Sequence, residues 1–174
     1  LALAFQRDPE GMRKLKEIVI MGGAVRTRGN ITPQAEFNIF SDPLAAQRVL
    51  GSTLSITLVP LDVTHQVSLT AQRMEKRVTP IENSFSKFVV EATGYDATLH
   101  QFRNKELIHL HDPLAVAVVI HPDLVKKEKI SLTVETQEGE SFGKIVEGSG
   151  ESNIEVCLAV DAERFLELFL SRLG

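Results

Sequence analysis

Apolar residues along this chain fall into two rhythms. Residues 18–21 form a short unbroken apolar run that stops at Gly22-Gly23, the pattern of a strand buried on both faces. Residues 54–61 are rich in β-branched side chains and alternate, which predicts a second strand running into the polar set Asp62-Val63-Thr64-His65. Between them, Asp42-Pro43 predicts a helix start, because aspartate caps and proline is tolerated at the first helical position. Phe85, Phe88, Val89 and Ala92 recur at i, i+3, i+4 and i+7, as on one face of a helix. Residues 114–120 are apolar all round and predict a buried helix capped by Asp112. Residues 130–136 alternate like a half-exposed strand, and 142–146 and 153–160 predict two more, with a turn at Gly148-Ser149-Gly150. A last helix is predicted after Asp161, with Ala162, Phe165, Leu166, Phe169, Leu170 and Leu173 on one face.

Strands alternating with helices predict an α/β fold: an open, mostly parallel sheet flanked by helices, with the strands from 130 onward pairing antiparallel. The whole of 1–174 reads as one domain without repeats. Residues 1–5 read as the middle of a helix with no cap ahead of it, so the chain is expected to be the later part of a longer protein. In open α/β sheets ligands bind outside the carboxyl ends of the strands. Residues 21–38 and 62–65 lie just past two such ends, and His111-Asp112 opens a helix that can face the same rim.

Composition narrows the function. The 174 residues carry a net charge of −4, which argues against nucleic acid as a partner. The densest basic cluster, Lys126-Lys127-Glu128-Lys129, is interrupted by acid and reads as a solvated edge. The single cysteine, Cys157, excludes an internal disulfide and reads as a buried thiol, fitting a reducing, cytoplasmic setting. No apolar run approaches the roughly 20 residues of a membrane span, and no signal peptide is visible.

Several polar residues could carry chemistry. Glu36 and Asn38, two apart, would point the same way in an extended loop and pair an acceptor with a donor, a set suited to sugar hydroxyls. Turn capping is the plainer reading, as it is for Asn30 after Gly29. Asp112 is either a helix cap or a hard oxygen ligand for a divalent cation. His111, with His109 two earlier, is suited to proton donation near neutral pH. A helix N-terminus and a nearby cation both oppose a charged imidazole there. The His-x-His spacing is a weak zinc signal without a third ligand. Asp62 and His65 read as a strand-end turn that caps the next segment, and His100 and His121 carry no specific signal. Gly22-Gly23 falls short of a dinucleotide fingerprint.

Taken together, Val19-Ile20-Met21-Gly22-Gly23-Ala24, Gly29 to Asn38, Asp42-Pro43-Leu44-Ala45-Ala46, Val59-Pro60-Leu61-Asp62-Val63-Thr64 and His111-Asp112-Pro113-Leu114-Ala115 resemble the inosine–uridine-preferring nucleoside hydrolases in order and spacing. The resemblance covers nearly the whole chain. It implies cleavage of the N-glycosidic bond of ribonucleosides to ribose and free base. A bound Ca²⁺ would chelate the ribose 2′- and 3′-hydroxyls and hold the attacking water, and an aspartate would take that water's proton. The resemblance implies that Asn30, Glu36 and Asn38 hold ribose hydroxyls and that Met21 lies against the sugar. It gives His111 the departing base and Asp112 the Ca²⁺. It also implies a dimer or tetramer of the full-length form. The family's opening Asp-x-Asp-Pro-Gly-x-Asp-Asp segment, which supplies the water-activating base and most calcium carboxylates, does not occur here. The expectation is that this chain alone neither holds Ca²⁺ tightly nor turns over nucleosides, and that the sheet lacks its first strands. The alternatives are a non-catalytic remnant binding a ribosyl ligand or a partner subunit, and an unrelated α/β nucleotide-binding domain. Glu36 in the loop argues against phosphate there.

Overall fold

The computed structural model describes residues 1–103, 106–152 and 154–174. Helices α1 (Ala2–Arg7) and α2 (Pro9–Met12) lead into β1 (Ile18–Met21). Helices α3 (Phe37–Ser41) and α4 (Pro43–Leu50) connect it to β2 (Ile56–Val59). Then come α5 (Leu61–Thr64), β3 (Ser68–Thr70), α6 (Ala71–Arg77) and α7 (Ser84–Thr93). Strands β4 (Tyr95–Asp96), β5 (Gln101–Phe102) and β6 (Leu107–His109) precede α8 (His111–Ile120). The chain continues through β7 (Val125–Lys129), β8 (Leu132–Val134), β9 (Ile145–Glu147), β10 (Ile154–Val160) and α9 (Ala162–Ser171).

The main sheet has the order β1-β2-β10-β7. Strands β1, β2 and β10 run parallel, and β7 pairs antiparallel with β10. This is the expected mostly parallel sheet flanked by helices. Of the strands from 130 onward, β8 and β9 pair antiparallel as expected, whereas β10 joins the main sheet, parallel to β2 and antiparallel to the unpredicted β7. Every residue of β2 is buried, as a central strand covered on both faces requires. Ile56 and Leu58 join one core with Val49, Leu50, Ile154 and Val156. Val59 joins the other with Val63, Leu114, Cys157, Phe165 and Leu170.

Register positions the site. Ile20 pairs with Leu58 and Met21 with Val59, so β1 and β2 end together. The Gly22 N–H then donates to Val59 O (3.3 Å) and the Leu61 N–H to Gly23 O (2.8 Å). Both strand-end loops therefore leave the sheet on one rim.

Several sequence expectations need correction. Of residues 54–61 only Ile56–Val59 form the second strand, which ends where Pro60 becomes the N-cap of α5. The strand expected over 142–146 begins only at Ile145. Gly143 turns the chain at φ 78°, and Phe142 packs edge-on against Phe40 with ring centroids 5.4 Å apart. The strand over 130–136 narrows to β8, and Asn153 lies outside the described residues. Phe85 and Phe88 are exposed. The capping box of Asn83 and Ser86 turns Ser86 inward, and α7 meets the core through Val89 and Val90. Helix α8 is not buried all round: it packs on β1 with Leu114, Ala117 and Val118 inward, while Val116, Val119 and Ile120 are exposed. Asp112 does not cap it. The helix starts at His111, two residues earlier than a capping Asp112 would allow, and its N-cap Leu110 makes no side-chain bond. Asp42 does cap α4, accepting from Ala45 N–H at 3.0 Å. The basic cluster, expected as a solvated edge with no strand assigned to it, forms strand β7, and Lys127 turns in to reach Thr57 and Glu155, each at 3.1 Å.

Cys157 is fully enclosed. Burial pushes its thiol up from 9.0 to about 12, because the low-dielectric core disfavours thiolate. The unfolded chain releases this proton first, so the thiol's contribution to stability is intact below about pH 9 and is lost as pH rises towards about 12. Iodoacetamide is expected to leave Cys157 unlabelled at pH 8 in the native state and to label it fully in denaturant. Rapid native labelling would contradict its enclosure.

Candidate functional site

The loop after β1 is closed by one buried carboxyl group. Gly23 has φ 86°, and a Cβ there would lie 2.4 Å from Ile145 Cδ1, so only glycine fits this turn. Its N–H donates to Glu36 Oε2 at 2.8 Å. Glu36 is also the N-cap of α3: Asn38 N–H donates to Oε1 at 2.8 Å and Ile39 N–H to Oε2 at 3.2 Å. Only 2% of Glu36 is exposed, a burial offset by these three charge-assisted bonds.

Asn38 belongs to α3 rather than to an extended segment. Glu36 therefore turns inward while Asn38 is exposed, and the two do not present a common face as the i, i+2 spacing predicts. The Asn38 amide lies 3.4 Å from both Met21 O and Met21 Sδ. Asn30 Oδ1 accepts the Phe37 N–H at 2.9 Å. Met21, Asn30, Glu36 and Asn38 are thus brought together at the carboxyl end of β1. A cleft of about 210 Å³ opens beside Met21 and Asn38, bounded by Ile20, Ile39, Asp42 and Val49.

Helix α5 supplies the neighbouring wall. Asp62 accepts from Val25 N–H (2.9 Å) and Arg26 N–H (2.7 Å). It caps the loop upstream of it rather than the segment downstream. Arg26 in turn binds Glu147 at 2.9 Å and Glu128 at 3.1 Å, and its hydrogen bond holds the Glu147 carboxyl below its usual range. All three are substantially exposed, so these pairs tether the loop at small net energy.

Thr64 ends α5, and its Oγ1 lies 2.8 Å from His111 Nδ1. His65, His109 and His111 form a cluster, with ring centroids 4.7 Å (65–109), 5.8 Å (65–111) and 5.5 Å (109–111) apart. Pairing of Ser68 with His109 in β3 and β6 brings these distant segments together. The sequence alone gives His65 a turn role and Thr64 none. The available signal is a polar pair at a strand end, opposite the His-x-His segment.

Asp112 is exposed in the first turn of α8, and among the described residues its carboxyl group makes no hydrogen bond. No group of three His, Cys, Asp or Glu among the described residues is arranged to hold a metal ion. A Ca²⁺ ion takes about six to eight oxygens, so Asp112 by itself does not build such a site.

Residues 1–167 match the family described as inosine-uridine preferring nucleoside hydrolase. The chain belongs to that family. An uncharacterized protein of Schizosaccharomyces pombe is 35% identical over 185 residues, covering 100% of this chain and 58% of that protein. The inosine-uridine preferring nucleoside hydrolase of Crithidia fasciculata is 32% identical over 179 residues, covering 99% of this chain and 56% of that protein. The solved purine-preferring ribonucleoside hydrolase from Gardnerella vaginalis superposes with a TM-score of 0.86 at 32% identity, covering 99% of this chain and 56% of that one. The chain thus spans between 56% and 58% of the length of these relatives.

Glu36 ties the turn after β1 to the first turn of α3. Glu36→Ala leaves the enclosed Gly23 and Ile39 N–H groups and the part-buried Asn38 N–H without this acceptor and is expected to lower stability by about 3 kcal/mol in urea unfolding. Glu36→Gln, which keeps one accepting oxygen, is expected to cost roughly half as much. Equal stability of Glu36→Ala and the parent chain would contradict the latch.

Proposed function

We propose that this chain is part of an enzyme that hydrolyses the N-glycosidic bond of ribonucleosides to ribose and free base. The observation that carries this reading is the shared rim: Met21, Asn30, Glu36 and Asn38 gather at the end of β1, and α5, starting at the end of β2, contacts His111. On this reading Asn30 and Asn38 offer side-chain amides to ribose hydroxyls, and Met21 lies against the sugar. Glu36 uses three of its roughly four acceptor positions internally and has one left for a hydroxyl. His111 faces the departing base, where a donor stabilises the charge that develops as the bond breaks.

Asp112 would contribute one carboxylate to a bound Ca²⁺, and the remaining oxygens and the group that activates water would come from elsewhere in the protein. The full-length form assembles as a dimer or tetramer and acts in the cytoplasm.

The second reading is a non-catalytic remnant that binds a ribosyl ligand or a partner subunit. One assay separates the two. Inosine and uridine hydrolysis is measured for the 174-residue chain and for the same protein extended to the length of its relatives. The first is expected to be inactive and the second active. His111→Ala in the active form is expected to slow inosine hydrolysis by about 10²-fold or more. Turnover by the 174-residue chain, or an inactive extended protein, would overturn the proposal.

A further inference from the structure

We infer that Thr64 is a positioning residue that holds His111 in the neutral tautomer with its proton on Nε2. Thr64 is fully buried at the end of α5. A threonine hydroxyl in a helix commonly donates back to the carbonyl four residues earlier. Here that carbonyl, Pro60 O, receives the Val63 and Thr64 N–H groups, each at 3.1 Å. Among the described residues, the hydrogen-bond partner of Thr64 Oγ1 is His111 Nδ1 at 2.8 Å.

Two proton placements fit that distance. With the proton on Nδ1, the imidazole donates and the threonine oxygen accepts, leaving the threonine O–H buried without an acceptor. With Nδ1 bare, the hydroxyl donates to it and both groups are satisfied. Buried hydroxyls without partners are rare and unfavourable, which selects the second placement. A neutral imidazole whose Nδ1 accepts carries its proton on Nε2.

The geometry is held from both sides. Leu61 N–H donates to Gly23 O at 2.8 Å, fixing the start of α5, and Leu110 N–H donates to Val67 O at 3.1 Å, fixing the approach to α8. Thr64 therefore acts at a set distance rather than by chance contact.

The consequence rests on the proposed nucleoside hydrolysis. A neutral imidazole presenting Nε2–H still offers a hydrogen bond to the departing base, and needs no charged form to do so.

The test is nitrogen NMR of the ¹⁵N-labelled 174-residue chain at a pH where the ring is neutral, with His111 assigned by its loss in His111→Gln. The expected result is a bare Nδ1 and a protonated Nε2. Thr64→Val, which keeps the shape and removes the hydroxyl, is expected to populate the other tautomer, and Thr64→Ser to restore the first. A protonated Nδ1 in the parent chain, or an unchanged tautomer in Thr64→Val, overturns the inference. If Thr64→Val does not fold, the parent and Thr64→Ser spectra still decide it. In the active enzyme, Thr64→Val is expected to slow inosine hydrolysis roughly tenfold and to spare a riboside of 4-nitrophenol, whose leaving group needs no donor. A tautomer change without this split refutes the role of His111 at the base and leaves the tautomer assignment standing.

Discussion

Three backbone N–H groups converge on the carboxyl group of Glu36, and the arrangement of the rim depends on them. Gly23 belongs to the turn that ends β1, whereas Asn38 and Ile39 belong to the first turn of α3. One buried side chain therefore ties the end of a central-sheet strand to the start of the next helix, across thirteen residues of sequence. The loop between them cannot open without exposing a carboxyl group or stranding enclosed amides. Asn38 and Met21 owe their contact to this closure, because α3 is seated where Glu36 holds it.

The second wall is built by a different constraint. Parallel pairing of β1 and β2 in register makes their loops leave together. Asp62 then binds Val25 and Arg26 at the start of the first loop, and Thr64, two residues on, contacts His111. A helix of four residues thus touches both the loop after β1 and the N-terminus of α8. Such a short element has little stability of its own, and its order comes from enclosure: Leu61, Val63 and Thr64 are all buried.

Much of this was legible in the sequence. The Asp42-Pro43 helix start and the face of α9 arise from local chemistry alone and formed as the pattern predicts, whereas the run before Gly22-Gly23 forms a strand that is not buried on both faces: Val19, Ile20 and Met21 are half-buried at one end of the described main sheet. The candidate residues also gather where strand-end reasoning puts them. What could not be read was anything set by long-range packing. The inward turn of Glu36 depends on Gly23, thirteen residues away. The histidine cluster depends on β3 pairing with β6. The exposed side of α8 looks buried in sequence because its residues are uniformly apolar, yet only the side against β1 and the neighbouring core is covered. Asp112 and Asp42 share an Asp-Pro motif and differ in role, because α8 begins before its aspartate and α4 begins after.

The most direct test is a crystal structure of the enzyme containing these residues, bound to a ribonucleoside that it turns over slowly. Ribose is expected against Met21 and Asn38, the base beside His111, and Asp112 on the side of the ribose hydroxyls. A nucleoside bound away from the carboxyl ends of β1 and β2 would contradict the proposed site.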